Sequence, residues 1–154
     1  MQSDPPPHDF RRVSMGHAGV PSAVRTAGTP MFFLTVCAED RSGAPLLPHA
    51  AAILDAARFY HEQGVWFARL FLVMPDHIHL LVRPAVDRRL SDMVGRWKRY
   101  LTRTEGIAWQ RNFFDHRIRN EAEETEKWDY IRLNPVRRGL VADPDAWPHW
   151  FANR

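Results

Sequence analysis

The stretch from Val65 to Val82 constrains this chain most. It reads VWFARLFLVM, then Pro75-Asp76, then HIHLLV. Two runs rich in aromatic and aliphatic residues, separated only by a turn dipeptide, predict an antiparallel β-hairpin. A lone hairpin is marginal in water, so the flanking segments must supply more strands and a cover. Met31 to Val36 (MFFLTV) predicts a strand, bounded by Pro30 and the polar turn at 39–43. A helix is expected from Pro48 to Gln63, stopped by Gly64, with Ala50, Ile53, Leu54, Ala57 and Tyr60 as its buried stripe. After the hairpin, Pro84 closes the second strand. Leu90 to Arg103 then predicts a basic helix, with Ser91 as a candidate cap and Met93, Val94, Trp97 and Leu101 as its apolar stripe. Asn112 to Ile118 predicts a further strand. Glu121 to Leu133 predicts a helix with acids in its first turns, ended by Pro135. Trp147 and Trp150, beyond it, are expected to pack back onto the body.

The resulting order is β-α-β-β-α-β-α. Its first six elements match the ferredoxin-like split βαβ pattern. The fold class expected is therefore α+β. Two helices would lie on one face of the sheet, leaving the other face for a site or for the last helix.

The chain has 154 residues, 45% of them hydrophobic, enough for one ordinary domain with a core. Residues 1–29 are rich in Pro, Gly, Ser and Ala without apolar period, and predict a flexible N-terminal arm. The domain would run from 30 to 154. No apolar run approaches the roughly 20 residues that span a bilayer. The start of the chain does not resemble a signal peptide, so a cytoplasmic location is expected. The single Cys37 excludes an internal disulfide framework and a multi-cysteine zinc site. The net charge of +3 is only mildly basic. Its distribution is more informative: Arg88, Arg89, Arg96, Lys98, Arg99 and Arg103 fall in one short stretch, and Arg111, Arg117, Arg119, Arg132, Arg137 and Arg138 follow. Such clusters serve either as a solvated helix face or as a nucleic-acid surface.

His77 and His79 are two apart on a predicted strand, so both imidazoles point to one face while Ile78, Leu80 and Val82 point to the other. A same-face pair of neutral imidazoles is a two-point metal clamp, or simply two hydrogen-bonded surface histidines. Two ligands do not complete a site, so a third must come from elsewhere. Tyr130 and Asn134 are four apart and share a helix face, with Asn134 expected at the helix end because Pro135 follows. The carboxamide oxygen of Asn134 is a candidate third ligand beside the Tyr130 phenol. A tyrosine at a helix interior is otherwise a packing residue. Tyr60 and Tyr100 sit on helices whose apolar stripes explain them.

The segment MPDHIHLLV (74–82) resembles the His-hydrophobic-His signature of the HUH single-strand tyrosine transposases. Trp109-Gln110, Phe114-Asp115-His116-Arg117-Ile118-Arg119 and Tyr130-Ile131-Arg132-Leu133-Asn134-Pro135-Val136 resemble further segments of one branch, the REP-associated tyrosine transposases. The resemblance runs from about Met31 to about Val141. It implies a ferredoxin-like fold, Tyr130 as nucleophile, and Mg²⁺ or Mn²⁺ held by His77, His79 and Asn134. It also implies cleavage of single-stranded DNA beside a hairpin or repeat, leaving a 5′-phosphotyrosine and a free 3′-hydroxyl. Arg96, Lys98, Arg99, Arg117, Arg119 and Arg132 become candidate DNA contacts, and the protein a nucleoid-associated monomer or homodimer. His116 matches a family position without an assigned role. One alternative is a hairpin-binding protein of the same fold without strand transfer. Another is a zinc hydrolase built on His77, His79 and His116.

Overall fold

The computed structural model describes residues 26–154; most of the expected arm, 1–25, lies outside them. Residues 26–29 form a turn in which the Thr29 hydroxyl donates to the Thr26 carbonyl at 2.6 Å.

Five strands form one antiparallel sheet: β1 (Phe32–Cys37), β2 (Trp66–Val73), β3 (His77–Pro84), β4 (Phe114–Arg117) and β5 (Trp150–Ala152). Their spatial order is β4-β1-β3-β2-β5. The first four strands, with helices α1 (Ala50–Glu62) and α2 (Leu90–Glu105) as crossovers, make the expected β-α-β-β-α-β unit. The β2–β3 turn is as tight as its Pro75-Asp76 sequence suggests, with the Met74 N–H donating to the His77 carbonyl at 2.8 Å. Gly64, at a φ of 73°, takes the left-handed conformation that lets the chain leave α1 for β2. Ser91 does not cap α2: Arg89 occupies the cap position, without a side-chain hydrogen bond.

The period-two reading of β3 holds. Ile78, Leu80 and Val82 join Leu34, Val36, Phe71 and Trp66 in a core beneath α1 and α2, which contribute Ile53, Tyr60, Met93, Val94, Trp97 and Leu101. Each large apolar side chain enclosed there stabilises the fold by roughly 1.5–3 kcal/mol relative to exposure. The opposite face carries a second apolar cluster of Met31, Phe33, Leu70, Leu72, Met74 and Leu81. Helix α3 (Glu121–Arg132) lies on this second face and buries Ile131 completely against it. The Asn120 side chain starts α3 by accepting from the Glu123 N–H at 2.8 Å.

Two local features differ from expectation. Asn134 is not the last residue of the tyrosine helix. Leu133 closes α3, and Asn134 opens a second short helix, α4 (Asn134–Arg137), with Pro135 in its first turn. Proline is accepted there because a first-turn N–H has no intrahelical partner. The tail also supplies β5, an edge strand pairing Leu70 with Ala152 and Leu72 with Trp150. The tryptophans do fold back: the Trp147 indole donates to the Val73 carbonyl at 3.0 Å, and Trp150 packs against the second cluster. No helix among the described residues is long and apolar enough to cross a membrane.

Candidate active site

Strand β3 projects His77 and His79 onto the α3 face, and both are almost fully enclosed. Their Nε2 atoms lie 3.1 Å apart. Each ring is tethered through its other nitrogen. His77 Nδ1 meets the Asp76 carboxylate at 2.7 Å, and a carboxylate can only accept, so this nitrogen carries the proton. His79 Nδ1 meets the Thr35 hydroxyl at 3.0 Å, from its cross-strand neighbour in β1. Asp76 is held in turn by Arg41, whose Nε donates at 2.8 Å.

Helices α3 and α4 close the site from above. The Asn134 amide is buried, with Nδ2 3.2 Å from His79 Nε2 and Oδ1 lacking any hydrogen-bond partner. Tyr130 presents its ring edge-on to His79, centroids 5.6 Å apart, and to Phe33 at 5.9 Å. Phe33 stacks on His79 at 5.4 Å and fixes that imidazole from below. The Arg137 guanidinium covers the Tyr130 ring at 4.4 Å and also donates to the Tyr130 carbonyl. Tyr130 is nevertheless 44% exposed. Thr35, Arg41, His77, His79, Phe114, Tyr130, Asn134, Arg137 and Arg138 line a cleft of about 470 Å³.

The electrostatics favour neutral histidines in a cationic cleft. Burial pushes the His77 imidazole below its ordinary value; Asp76 opposes this, while Arg138 and Arg41 add to it. Burial, then the neighbouring His77 and the arginines 137 and 138, push His79 down to about 3. Burial alone would raise the Asp76 carboxyl, but hydrogen bonds from His77 and Arg41 outweigh it and hold the group below the usual carboxylate range.

This donor set suits a divalent cation. The proton on His77 Nδ1 leaves its Nε2 as a bare lone pair. The Asn134 amide donates to His79 Nε2, which makes that nitrogen an acceptor too. Two lone pairs then face one another at 3.1 Å with no proton between them. A half turn of the Asn134 amide would exchange its Nδ2 contact with His79 for the orphaned Oδ1, so that a cation in place of that N–H would meet two nitrogen lone pairs and one amide oxygen. Nitrogen donors suit Mn²⁺ better than Mg²⁺, which prefers oxygen.

The site thus assembles Tyr130, His77, His79 and Asn134 within a single chain. The zinc alternative does not assemble. His116 lies on β4, opposite Phe33 of β1, and bonds Glu123 of α3 instead of approaching the pair. No group of three or more His, Cys, Asp or Glu suited to a metal occurs among the described residues.

The candidate DNA contacts divide. Arg96, Arg99, Arg117 and Arg119 are exposed. Arg96 and Arg99 belong to α2, across the sheet from the cleft. Arg117 pairs with Phe32 in the β4–β1 ladder, out of phase with the cleft-lining Phe114. Lys98 turns its ammonium inward and donates to the carbonyls of Gln110 at 2.8 Å and Arg111 at 3.3 Å. Arg132 bonds Asp145 at 2.6 Å and lies 3.6 Å over the Trp150 ring, pinning the tail. The cations that do line the cleft are Arg41, Arg137 and Arg138. Arg137 and Arg138 were visible as basic residues just beyond the Asn-Pro step. Arg41 carried no local signal, since only the fold brings the 39–43 turn to Asp76.

No family model matches the chain. It is 34% identical to the REP-associated tyrosine transposase of Escherichia coli K12 over 123 residues, covering 76% of this chain and 73% of that protein. A Haemophilus influenzae Rd protein with a provisional version of the same name is 27% identical over 136 residues, covering 77% of each. The fold superposes on the structure of a REP-associated tyrosine transposase bound to a REP hairpin with a TM-score of 0.71, at 26% identity, covering 79% of this chain and 76% of that one.

Proposed function

The chain belongs to the REP-associated tyrosine transposases, and we propose that it cleaves and rejoins single-stranded DNA beside a hairpin through a phosphotyrosine bond at Tyr130. The observation that supports this most is the convergence of an exposed Tyr130 with the buried His77, His79 and Asn134 in one arginine-lined cleft. In the cleavage step, the Tyr130 oxygen attacks phosphorus and gives up its proton to solvent. The bond from phosphorus to the 3′-oxygen breaks, and that oxygen takes a proton and leaves as a free 3′-hydroxyl. The 5′-phosphate stays on Tyr130. Attack by a 3′-hydroxyl reverses the chemistry and joins a new strand, so no nucleotide cofactor is consumed.

The chain's own residues orient the reactants. Arg137 clamps Tyr130 by lying over the face of its ring and donating to its carbonyl, which fixes the side chain and brings a cation to the cleft. Arg138 and Arg41 add positive charge at the cleft, where a phosphodiester must enter. His77, His79 and Asn134 would hold Mg²⁺ or Mn²⁺. Bound there, the ion supplies charge neutralisation at a phosphate oxygen. The related protein bound to a REP hairpin supports a hairpin as the DNA partner.

The test is a denaturing gel of labelled single-stranded hairpins from repeats near the gene, incubated with protein and Mn²⁺ or Mg²⁺. A protein–DNA band that vanishes in Tyr130→Phe and in His77→Ala/His79→Ala is the expected result. Hairpin binding without cleavage by the wild type would replace this reading with a binding-only protein.

A further inference from the structure

Five large hydrophobic side chains are conspicuously exposed among the described residues: Val86, Phe114, Tyr130, Leu133 and Leu140. Only Tyr130 and Phe114 line the cleft. Tyr130 has the proposed chemistry to explain its exposure. Phe114 has none yet, although it is the more exposed of the two, at 58%.

We propose that Phe114 is the stacking platform for a DNA base next to the cleaved phosphodiester, an assignment that rests on the cleft being the strand-cleavage site. Phe114 opens β4, the edge strand of the sheet. It sits opposite Thr35, which sits opposite His79, so the three residues form one row across adjacent strands. At roughly 4.8 Å per strand, Phe114 stands about 10 Å from His79 across the sheet. That places it beside the reacting phosphate rather than under it. Phe33 supports the ring from behind, edge to face at 6.1 Å. The same Phe33 stacks on His79 and meets Tyr130, so platform, nucleophile and histidine share one aromatic support. The remaining surface of Phe114 faces the cleft, whose other walls carry Arg41, Arg137 and Arg138.

An exposed aromatic ring beside a cationic channel is the arrangement by which proteins hold single strands: arginines track phosphates while rings take the bases. A duplex would offer no free base face to such a ring. The platform therefore selects an unpaired nucleotide, and tolerates its identity, because every base has a π-face. Phe114 is a positioning residue: it fixes the base whose sugar carries the phosphodiester into reach of Tyr130.

The experiment uses full-length protein and hairpins with single-stranded flanks in which 2-aminopurine replaces each flanking base in turn. Binding is followed with Tyr130→Phe, which prevents turnover, and adduct formation with otherwise wild-type protein. Stacking should quench the probe at one or two adjacent positions. Phe114→Ala and Phe114→Leu should abolish that quench and weaken binding of the flanked hairpin by about fivefold to 150-fold, whereas Phe114→Tyr restores both. KM for adduct formation should rise with a smaller change in kcat. A quench that survives Phe114→Ala overturns the proposal, even if the adduct forms normally. So does a Phe114→Ala protein that changes only its sedimentation, which would assign the ring to contact with a second copy. If the wild type binds with the Phe114-dependent quench but never forms an adduct, the platform stands and the cleavage reading fails.

Discussion

Replacing Asp76 with alanine asks whether the histidine pair is held as a metal clamp. Asp76 Oδ1 fixes the proton on His77 Nδ1 through a 2.7 Å contact, so that Nε2 faces the site as a lone pair. A hydrogen bond to a charged group of this kind is worth about 1.5–3 kcal/mol. Its loss frees the ring to rotate and to adopt the other tautomer, and it removes a negative charge near the cation. Residues supporting a metal-ligating histidine typically contribute roughly 10–100-fold to affinity, or about 1.4–2.7 kcal/mol. The fold should tolerate the change. Arg41, the other partner, is 44% exposed and returns to water at little cost, while the main-chain bond from the Ala38 N–H to the Asp76 carbonyl is untouched. Calorimetric titration with Mn²⁺ should show Asp76→Ala weakened by that factor and His77→Ala without measurable binding. The exposed Asp55→Ala, on α1, serves as the charge control. If Asp76→Ala binds Mn²⁺ within about threefold of wild type while His77→Ala does not bind, Asp76 does not orient the ligand, and the reasoning from tautomer to clamp is wrong.

Other outcomes follow from side chains away from the clamp. Lys98→Met leaves the carbonyls of Gln110 and Arg111 without their donor, and should cost about 2 kcal/mol, or roughly 4–8 °C in Tm, whereas Arg96→Ala on the same helix should change stability by less than about 0.5 kcal/mol. Equal effects of the two would show that Lys98 is not anchored inward. Arg132→Ala should release the tail, exposing Trp150 to fluorescence quenchers, while adduct formation retains most of its rate; a collapse of activity with the tail still protected would place Arg132 on the DNA surface. His61 Nδ1 accepts the Ala68 N–H at 3.1 Å, and burial holds its pKa below the ordinary 6.5. The unfolded chain therefore binds this proton first. The stability from His61 is complete above about pH 6.5 and is lost as the pH falls toward the folded-state value. His61→Gln keeps an acceptor but not the titration, so its urea midpoint should fall less than wild type's between about pH 7 and pH 5; parallel declines would contradict the assignment.

The parts of the site that were legible in the sequence are those set by local periodicity. Alternation along β3 placed His77 and His79 on one face and Ile78, Leu80 and Val82 on the other, because a pleated strand allows nothing else. The four-residue spacing put Tyr130 and Asn134 together, although the chain achieves this with two consecutive helices instead of one. Thr35, Arg41 and Phe114 were not legible, because they reach the cleft only through the register of β1 against β3 and β4, pairings between segments far apart in the chain. The inward turn of Lys98 had an available signal: the residue falls within the stripe of Val94, Trp97 and Leu101, on the buried side of α2. Strand β5 escaped notice because its three residues are strand only by virtue of pairing with β2.

The central claim is that Tyr130 becomes covalently bound to DNA. After reaction with a single-stranded hairpin and Mn²⁺, nuclease digestion and then trypsin should release the peptide Trp128-Asp129-Tyr130-Ile131-Arg132, in which Tyr130 is the only hydroxyl-bearing residue. Mass spectrometry should find that peptide carrying a 5′-phosphonucleotide on Tyr130, and should find it unmodified when the metal is withheld. An adduct mapped to any other residue, or cleaved DNA with this peptide unmodified at every time point, would contradict the account.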